Sequence, residues 1–334
     1  MFKKITEAWA LHRRAVVIAA LVILIAFPFL FSNQYFVTVA TLGGVYAILA
    51  MSLNLISGFM GITSLGHAAF FGVGAYTAAL LSTKLGWPFL LTLLSACIIS
   101  LVFGILLGLP TLRLSGRYLT IVTLAFCEII RTIETNWKSL TGGATGITGI
   151  PKPEIFGYVF NTPRKIYFMV LVLCILTYIL ISRLMDSRLG RGITAVRDDY
   201  IAAQAMGIKD SRYKIMAFVI SAALAGIAGG FYAHYMSFIS PLSFSFDQST
   251  LILSMIIIGG LGNLTGSVVG AVLLTILPEI LRPLMTWRQV IYGALLVVVI
   301  LCKPSGLLGK VNLKHIKQRK LFEKEKAKEG GVKA

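Results

Sequence analysis

Long apolar runs separated by short polar segments dominate this chain. Several of the runs reach the roughly 17–25 apolar residues that a helix needs to cross a bilayer. The runs fall at residues 15–31, 36–57, 64–82, 87–109, 118–133, 165–182, 215–235, 250–281 and 289–302. The pattern predicts an all-α, polytopic membrane protein.

One polar stretch interrupts this pattern in the middle of the chain, from Arg183 to Lys214. It carries seven Lys or Arg residues and four Asp residues. Its central part, Tyr200 to Met206, has a helix-forming composition and is followed by Gly207, a residue typical of a helix end. We expect this stretch to lie at an aqueous face and to contain a short helix.

The distribution of basic residues predicts the orientation, because Lys and Arg concentrate in cytoplasmic segments of membrane proteins. Segments 1–14, 183–214 and 303–334 are all basic and are predicted to be cytoplasmic. Nine crossings would place the tail outside, so the total must be even. The run 250–281 is too long for one span, and GGLGNLTG (259–266) interrupts it with residues that favour a turn. Dividing this run gives ten transmembrane helices.

The chain is therefore expected to form one transmembrane domain, 15–302, between a basic N-terminus, 1–14, and a basic tail, 303–334. The cytoplasmic loop 183–214 follows the sixth helix. A helix broken within the membrane is tolerated where protein shields the freed backbone or where the break lines a cavity. The residues expected at the break are Gly259, Gly260, Gly262, Asn263 and Gly266.

Composition supports this interpretation. Hydrophobic residues make up 57% of the chain and charged residues only 13%, about half the share of a soluble domain. The net charge of +18 would suggest nucleic-acid binding in a soluble protein. Here the favoured explanation is a topology determinant with a solvated tail, and contact of the tail with anionic lipid is the alternative. We therefore expect no nucleic-acid partner.

Ionisable residues inside the apolar runs are rare. Glu128 and Arg131 are three residues apart, so they share a helix face and are expected to form a pair. The pair and His67, at the start of the third run, are candidates for the translocation path. For His67, a helix residue with its hydrogen bonds satisfied is the more common role.

The sequence shows no catalytic constellation. It has no HExxH, no clustered His and Cys residues and no nucleophile elbow. The Gly-rich segment 139–151 lacks the GxxxxGK[ST] pattern of a phosphate loop. We expect no enzyme activity, no bound cofactor or metal, and no ATP site in this chain.

Four segments together resemble the branched-chain amino acid ABC permease family, of the LivM type. They are MSLNLISGFMGITSLGHAAFFGVGAYTAALL (51–81), RLSGRYLTIVTLAFCEIIRTIETNWKSLTGGATGITGIP (113–151), AVRDDYIAAQAMGIKDSRYKIMAFVISAALAGIAGGFYAH (195–234) and GGLGNLTGSVVGA (259–271). No segment is as rigid as a catalytic signature, but four in this order are jointly specific.

The resemblance implies the permease subunit of a binding-protein-dependent importer of leucine, isoleucine and valine. It implies a second, similar permease subunit, most simply in a heterodimer, with two ATPase subunits that bind ATP and Mg²⁺, and an extracytoplasmic binding protein. It also implies a bundle of about ten helices in the cytoplasmic (inner) membrane of a bacterium or archaeon, working by alternating access.

The segment 195–234 resembles the loop by which such a permease contacts its ATPase. The residues carried over are Arg197, Asp198, Asp199, Ala202, Ala203 and Gly207. The helix at 199–207 is expected to act as a lever, with its small residues seated in a cleft of the ATPase. Substitutions Gly207→Pro and Ala203→Glu are then expected to abolish uptake. The sequence departs from the commonest importer form, because Asp198 and Asp199 stand where Glu precedes the two alanines.

Three other functions are compatible with the sequence to different degrees. A relative in the same family that carries urea, amides or another small polar solute would share these motifs. A stand-alone channel or ion-coupled carrier is disfavoured by the central cytoplasmic loop and the shortage of intramembrane carboxylates. A membrane enzyme is disfavoured by the lack of a catalytic set.

Overall fold

The computed structural model describes residues 24–29, 34–111, 116–155 and 157–281, together with residues 293, 294, 297, 301, 303 and 306–308. The predicted N-terminal segment 1–14 lies outside the described residues. So do most of the first and last predicted crossings and nearly all of the tail 303–334. Ten crossings with both termini on one side therefore stay a prediction.

Helices form where the apolar runs predict them. They are α1 (Gln34–Asn54), α2 (His67–Leu85), α3 (Phe89–Thr111), α4 (Arg117–Asn136), α5 (Lys138–Thr141), α6 (Pro163–Asp186), α7 (Arg188–Asp198), α8 (Tyr200–Ala205), α9 (Asp210–Met236), α10 (Phe246–Gly259) and α11 (Leu264–Ile280). A π-helical turn, Leu55–Phe59, extends α1, and residues 24–29 are also helical.

Five of the described helical segments are long and apolar enough to cross a membrane. They are Gln34–Phe59, His67–Leu85, Phe89–Pro110, Pro163–Asp186 and Asp210–Met236. The predicted fifth crossing, α4, is not among these five, and it carries four charged residues. Its 20 residues still measure about 30 Å, the thickness of the hydrocarbon core. The chain is a predominantly helical, multi-pass membrane protein.

Helix α9 packs most extensively against α2 and α3, over small residues. A Cβ atom at Gly74 would lie 2.3 Å from the carbonyl oxygen of Gly226, and one at Gly229 would lie 2.1 Å from that of Phe71. No side chain fits in either place. Small residues let helix backbones approach closely in lipid, where burial from water does not drive packing.

The segment between α4 and α6 contains α5, a 3₁₀ turn and three short strands. Strand β1 (Ile147–Thr148) pairs antiparallel with β4 (Phe238–Ile239), which follows α9, and β2 (Glu154–Ile155) pairs with β3 (Tyr158–Val159). A Cβ at Gly146 would lie 1.9 Å from the carbonyl oxygen of Ile239. The glycines here allow this close strand pairing and the turns around it.

Candidate functional site

The polar loop 183–214 contains two helices, where the sequence predicted one. Helix α7 begins after Ser187, whose Oγ accepts hydrogen bonds from the backbone N–H groups of Leu189 (3.1 Å) and Gly190 (3.5 Å). Sequence reasoning missed α7, because Gly190 and Gly192 lower its helix propensity. Tertiary packing explains Gly192: a Cβ there would lie 2.1 Å from the Tyr213 ring.

The second helix, α8, is present at the position that the composition predicted. Its N-cap is Asp199, whose Oδ1 accepts hydrogen bonds from the N–H groups of Ile201 (2.9 Å) and Ala202 (3.0 Å). A side-chain acceptor at this position satisfies backbone donors that have no partner inside the helix. Gly207 follows with φ of +80°, and a Cβ there would meet nothing within 4 Å.

The outward face of α8 differs from the expected one. Ala203 is only 5% exposed and packs with Ile193, Val196 and Ala217 in the chain's own apolar core, so it does not line the outer face with Ala202. The large exposed side chains are those of Tyr200, Ile201 and Met206, and Met206 is 82% exposed. A partner would therefore meet Ala202 between large apolar side chains.

Two further charged residues precede Asp199. Asp198, the last residue of α7, is exposed. Arg197 is also exposed, but part of its side chain lies against the helical bundle. A Cβ at Gly61 would lie 3.0 Å from Cγ of Arg197, and one at Gly262 would lie 3.4 Å from Nη1 of Arg197. Arg197 therefore brings the polar loop close to two non-helical segments of the bundle.

One of these two segments contains Gly262 and is the break between α10 and α11, within the run 250–281. The chain leaves the helix at Gly260, with φ of +115°, and turns at Gly262, with φ of +73°. Asn263 caps α11, since its Oδ1 accepts a hydrogen bond of 3.2 Å from the N–H of Gly266. A Cβ at Gly259 would lie 2.1 Å from the carbonyl oxygen of Gly266, so the two helices cross in backbone contact.

A buried asparagine, Asn54, anchors this turn. Its Oδ1 accepts from the N–H of Gly262 (2.9 Å), and its Nδ2 donates to the carbonyl oxygen of Asn263 (3.1 Å) and to Oγ of Ser267 (2.8 Å). Sequence reasoning missed this residue. The signal was an amide within the apolar run 36–57, since a buried polar group is costly unless it is hydrogen-bonded.

The second non-helical segment, residues 60–66, joins the π-helical turn to α2. His67 is the first residue of α2 and is fully buried. Its Nε2 lies 2.7 Å from Oγ of Ser52, which itself donates to the carbonyl oxygen of Leu49. Nδ1 of His67 is buried and has no hydrogen-bond partner among the described residues.

The remaining candidates lie on α4. Arg131 and Glu128 form the expected pair, with Nη1 3.0 Å from Oε2, and both side chains are more than one third exposed. Glu134, one turn further along, was not singled out because it lies just beyond the predicted run 118–133. It is one of the most buried charged residues in the described chain, at 4% exposure.

Comparison with known proteins identifies the family. Residues 35–300 match the family described as branched-chain amino acid transport system, permease component. No solved structure matches the chain.

Individual relatives agree with this match. The chain is 38% identical over 313 residues to the high-affinity branched-chain amino acid transport system permease protein LivM of Salmonella typhimurium, which covers 87% of this chain and 73% of that protein. It is 25% identical over 311 residues to the corresponding permease protein LivH of Escherichia coli, covering 86% and 99%. It is 26% identical over 316 residues to a probable LivM of Methanocaldococcus jannaschii, covering 79% and 90%. The chain therefore belongs to the permease components of branched-chain amino acid transport systems.

Proposed function

We propose that this chain is the transmembrane permease subunit of an ABC importer that translocates leucine, isoleucine and valine. The observation that carries the proposal is the connection made by Arg197. It joins an exposed, capped helix in a polar loop to the broken helices of the bundle. A loop that only linked two crossings would need neither the helix nor the connection. Relatives of the LivM type are named for branched-chain amino acid transport.

The proposed partners follow from the family and from the polar loop. A second, homologous permease subunit completes the pathway, because relatives carry two different permease names, LivM and LivH. Two ATPase subunits dock on the cytoplasmic face, one of them against α8, and bind ATP and Mg²⁺. A binding protein delivers the solute from the opposite side. The chain itself then holds no cofactor and catalyses no reaction.

Alternating access is the proposed mechanism. Closure of the ATPase dimer moves α8, and α7 transmits that movement through Arg197 to the segments at Gly61 and Gly262. ATP shifts the bundle between its two states only if it binds them with different affinity. A difference of about 5.5 kcal/mol changes a population ratio of 1:99 into 99:1. Turns with glycine at positive φ supply the backbone freedom for this change.

The proposed topology places both termini, the loop 183–214 and the tail in the cytoplasm of a bacterium or archaeon, with ten crossings between residues 15 and 302. The basic composition of these segments supports this arrangement. Attachment of a membrane-impermeant thiol reagent to single cysteines introduced at exposed positions tests it. A cysteine in place of the exposed Tyr200 should react only from the cytoplasmic side. A cysteine in place of the exposed Tyr158, in β3, should react only from the outer side.

Uptake of radiolabelled leucine tests the function. The complete complex is reconstituted in vesicles with the second permease, the ATPases and the binding protein. ATP-dependent uptake, inhibited by isoleucine and valine and not by urea, is expected. ATP-dependent transport of urea or an amide instead would keep the permease and exclude the amino acid substrate. Uptake that needs neither ATP nor partners would exclude an ABC importer.

A further inference from the structure

Glu134 is a buried carboxylate without a hydrogen-bond partner. It lies in the last turns of α4, on the face directed into the bundle, and only 4% of the residue is exposed. Neither Oε1 nor Oε2 has a hydrogen-bond partner among the described residues. Arg131, one turn earlier on the same helix, pairs with Glu128 instead, with Nη1 3.0 Å from Oε2.

The carboxylate faces a glycine on the neighbouring helix. A Cβ at Gly72 of α2 would lie 2.6 Å from Oε1 of Glu134 and 3.0 Å from Cγ of Phe244. The carboxylate and the aromatic ring therefore occupy the space that a side chain at position 72 would fill. One turn along α2 from Gly72, the hydroxyl of Tyr76 is also buried and has no hydrogen-bond partner among the described residues.

Aromatic rings surround this part of the bundle. The ring centroid of Phe244 lies 5.8 Å from that of Tyr76 and 5.2 Å from that of Phe71. Thr141, at the end of α5, lies beside Glu134, since its Oγ1 donates a hydrogen bond of 2.7 Å to the backbone carbonyl of Glu134. A carboxylate and a phenol oxygen without described hydrogen-bond partners thus lie among aromatic rings, and we call these side chains the Glu134 cluster.

The Glu134 cluster favours one ligand chemistry. A buried carboxylate is costly unless a cation or hydrogen-bond donors compensate it. Intramembrane ionisable residues mark substrate or ion pathways for this reason. An alkylammonium group donates three hydrogen bonds, enough for a carboxylate and a phenol oxygen together. Aromatic faces also attract such a cation and pack against an aliphatic side chain.

We propose that Glu134, with Tyr76 and Phe244, binds the ammonium group of the transported solute during its passage. This inference rests on the proposed transport function and names a specificity determinant for it. The site selects for a primary ammonium group and rejects urea and carboxylic acids that lack one. Gly72 lets the carboxylate approach the backbone of α2 closely.

The test compares the complete complexes that carry Glu134→Gln, Glu134→Asp or the control Glu154→Gln. Glu154 is an exposed residue of β2 and is not part of the Glu134 cluster. Uptake is measured at saturating binding protein, so that the affinity of the binding protein does not limit the rate. Leucine retention by the purified complex without binding protein is measured as well, in competition with leucinamide and with 4-methylpentanoate. Leucinamide keeps the ammonium group, and 4-methylpentanoate lacks it.

In the unmodified complex, leucinamide should displace leucine and 4-methylpentanoate should not. Glu134→Gln should lower both leucine uptake and leucine retention at least about 30-fold, a loss expected when one partner of a buried charge pair is removed. It should also reduce the preference for leucinamide over 4-methylpentanoate. Glu134→Asp should recover part of both, and Glu154→Gln should behave like the unmodified complex. A purely structural carboxylate would lower assembly and thermal stability without changing this preference.

The outcomes separate this inference from the transport function. Full leucine uptake by Glu134→Gln would overturn the ammonium site and leave the importer intact. Uptake of a different amine by the unmodified complex, lost in Glu134→Gln, would keep the site and exclude the branched-chain substrate. Uptake of urea alone would overturn both.

Discussion

The amide oxygen of Asn54 accepts a hydrogen bond of 2.9 Å from the backbone N–H of Gly262, although 208 positions separate the two residues in the chain. The bond fixes the turn between α10 and α11 to the end of α1. The same side chain donates to Asn263 and Ser267. One buried side chain therefore holds together the segment that is broken inside the bundle.

Replacement of Asn54 by leucine should unfold this turn. The change leaves the buried N–H of Gly262 without its partner, at about 1–3 kcal/mol. Leucine uptake should be lost and the thermal midpoint of the purified complex should fall. The control is Asn161→Leu, at an exposed position in the segment between α4 and α6. A normal melting temperature for Asn54→Leu would show that the turn is held by other contacts.

Replacement of Gly207 tests the cap of α8. Proline cannot adopt its φ of +80° and removes the N–H that donates 2.9 Å to the carbonyl oxygen of Gln204. Gly207→Pro should abolish leucine uptake while the protein still inserts. Gly207→Ala should weaken the cap by about 1–2 kcal/mol, because the left-handed conformation is strained for any residue with a Cβ.

The matched control is Gly149→Ala in the segment between α4 and α6. Gly149 also has positive φ, +73°, and a Cβ there would meet nothing within 4 Å. The two alanine variants therefore impose the same backbone strain at different places. Equal losses of uptake would argue against a special role for the cap.

Glutamate at Ala202 and at Ala203 should fail for different reasons. Ala203→Glu places a charge in the apolar core formed with Ile193, Val196 and Ala217, so it should lower the thermal stability of the chain itself. Ala202→Glu changes an exposed position and should leave stability unchanged while preventing binding of the ATPase. Thermal melting and co-purification of the ATPase distinguish the two effects. Retention of the ATPase by Ala202→Glu would place the docking surface elsewhere.

Truncation of Arg197 should separate ATP hydrolysis from transport. Arg197→Ala removes the side chain that lies beside Gly61 and Gly262 but leaves the exposed face of α8 intact. The complex should assemble and hydrolyse ATP, while leucine uptake falls at least about tenfold, corresponding to about 1.4 kcal/mol of lost coupling.

The control for this variant is Arg191→Ala on the same helix. Nη1 of Arg191 donates 2.9 Å to the backbone carbonyl of Asp186, so it stays within the polar loop. Its removal should change neither hydrolysis nor uptake. If Arg197→Ala instead loses the ATPase, the side chain belongs to the docking surface rather than to the connection behind it.

Local patterns determined much of this fold. The bilayer requires long apolar helices, so the runs along the sequence predicted their positions to within a few residues. The break in 250–281 was also predictable, because Gly and Asn are the residues that tolerate its backbone conformation. Gly207 signalled the C-terminal end of α8 for the same local reason. The N-cap Asp199 could have signalled the other end, but its role emerged only from the structure.

Tertiary structure alone decided which side chains act together. Helix periodicity says that Ala202 and Ala203 differ in direction, but only the packing of α7 and α9 buries Ala203 and leaves Ala202 outside. Gly262, the partner of Asn54, is 208 positions away in the sequence, so no local pattern predicts the bond. From the sequence alone, Glu134 is the polar end of a helix, and only the packing of α2 brings Gly72 beside it. The physical reason is that hydrogen bonding and burial depend on neighbours in space, whereas helix formation in a membrane depends mainly on neighbours in sequence.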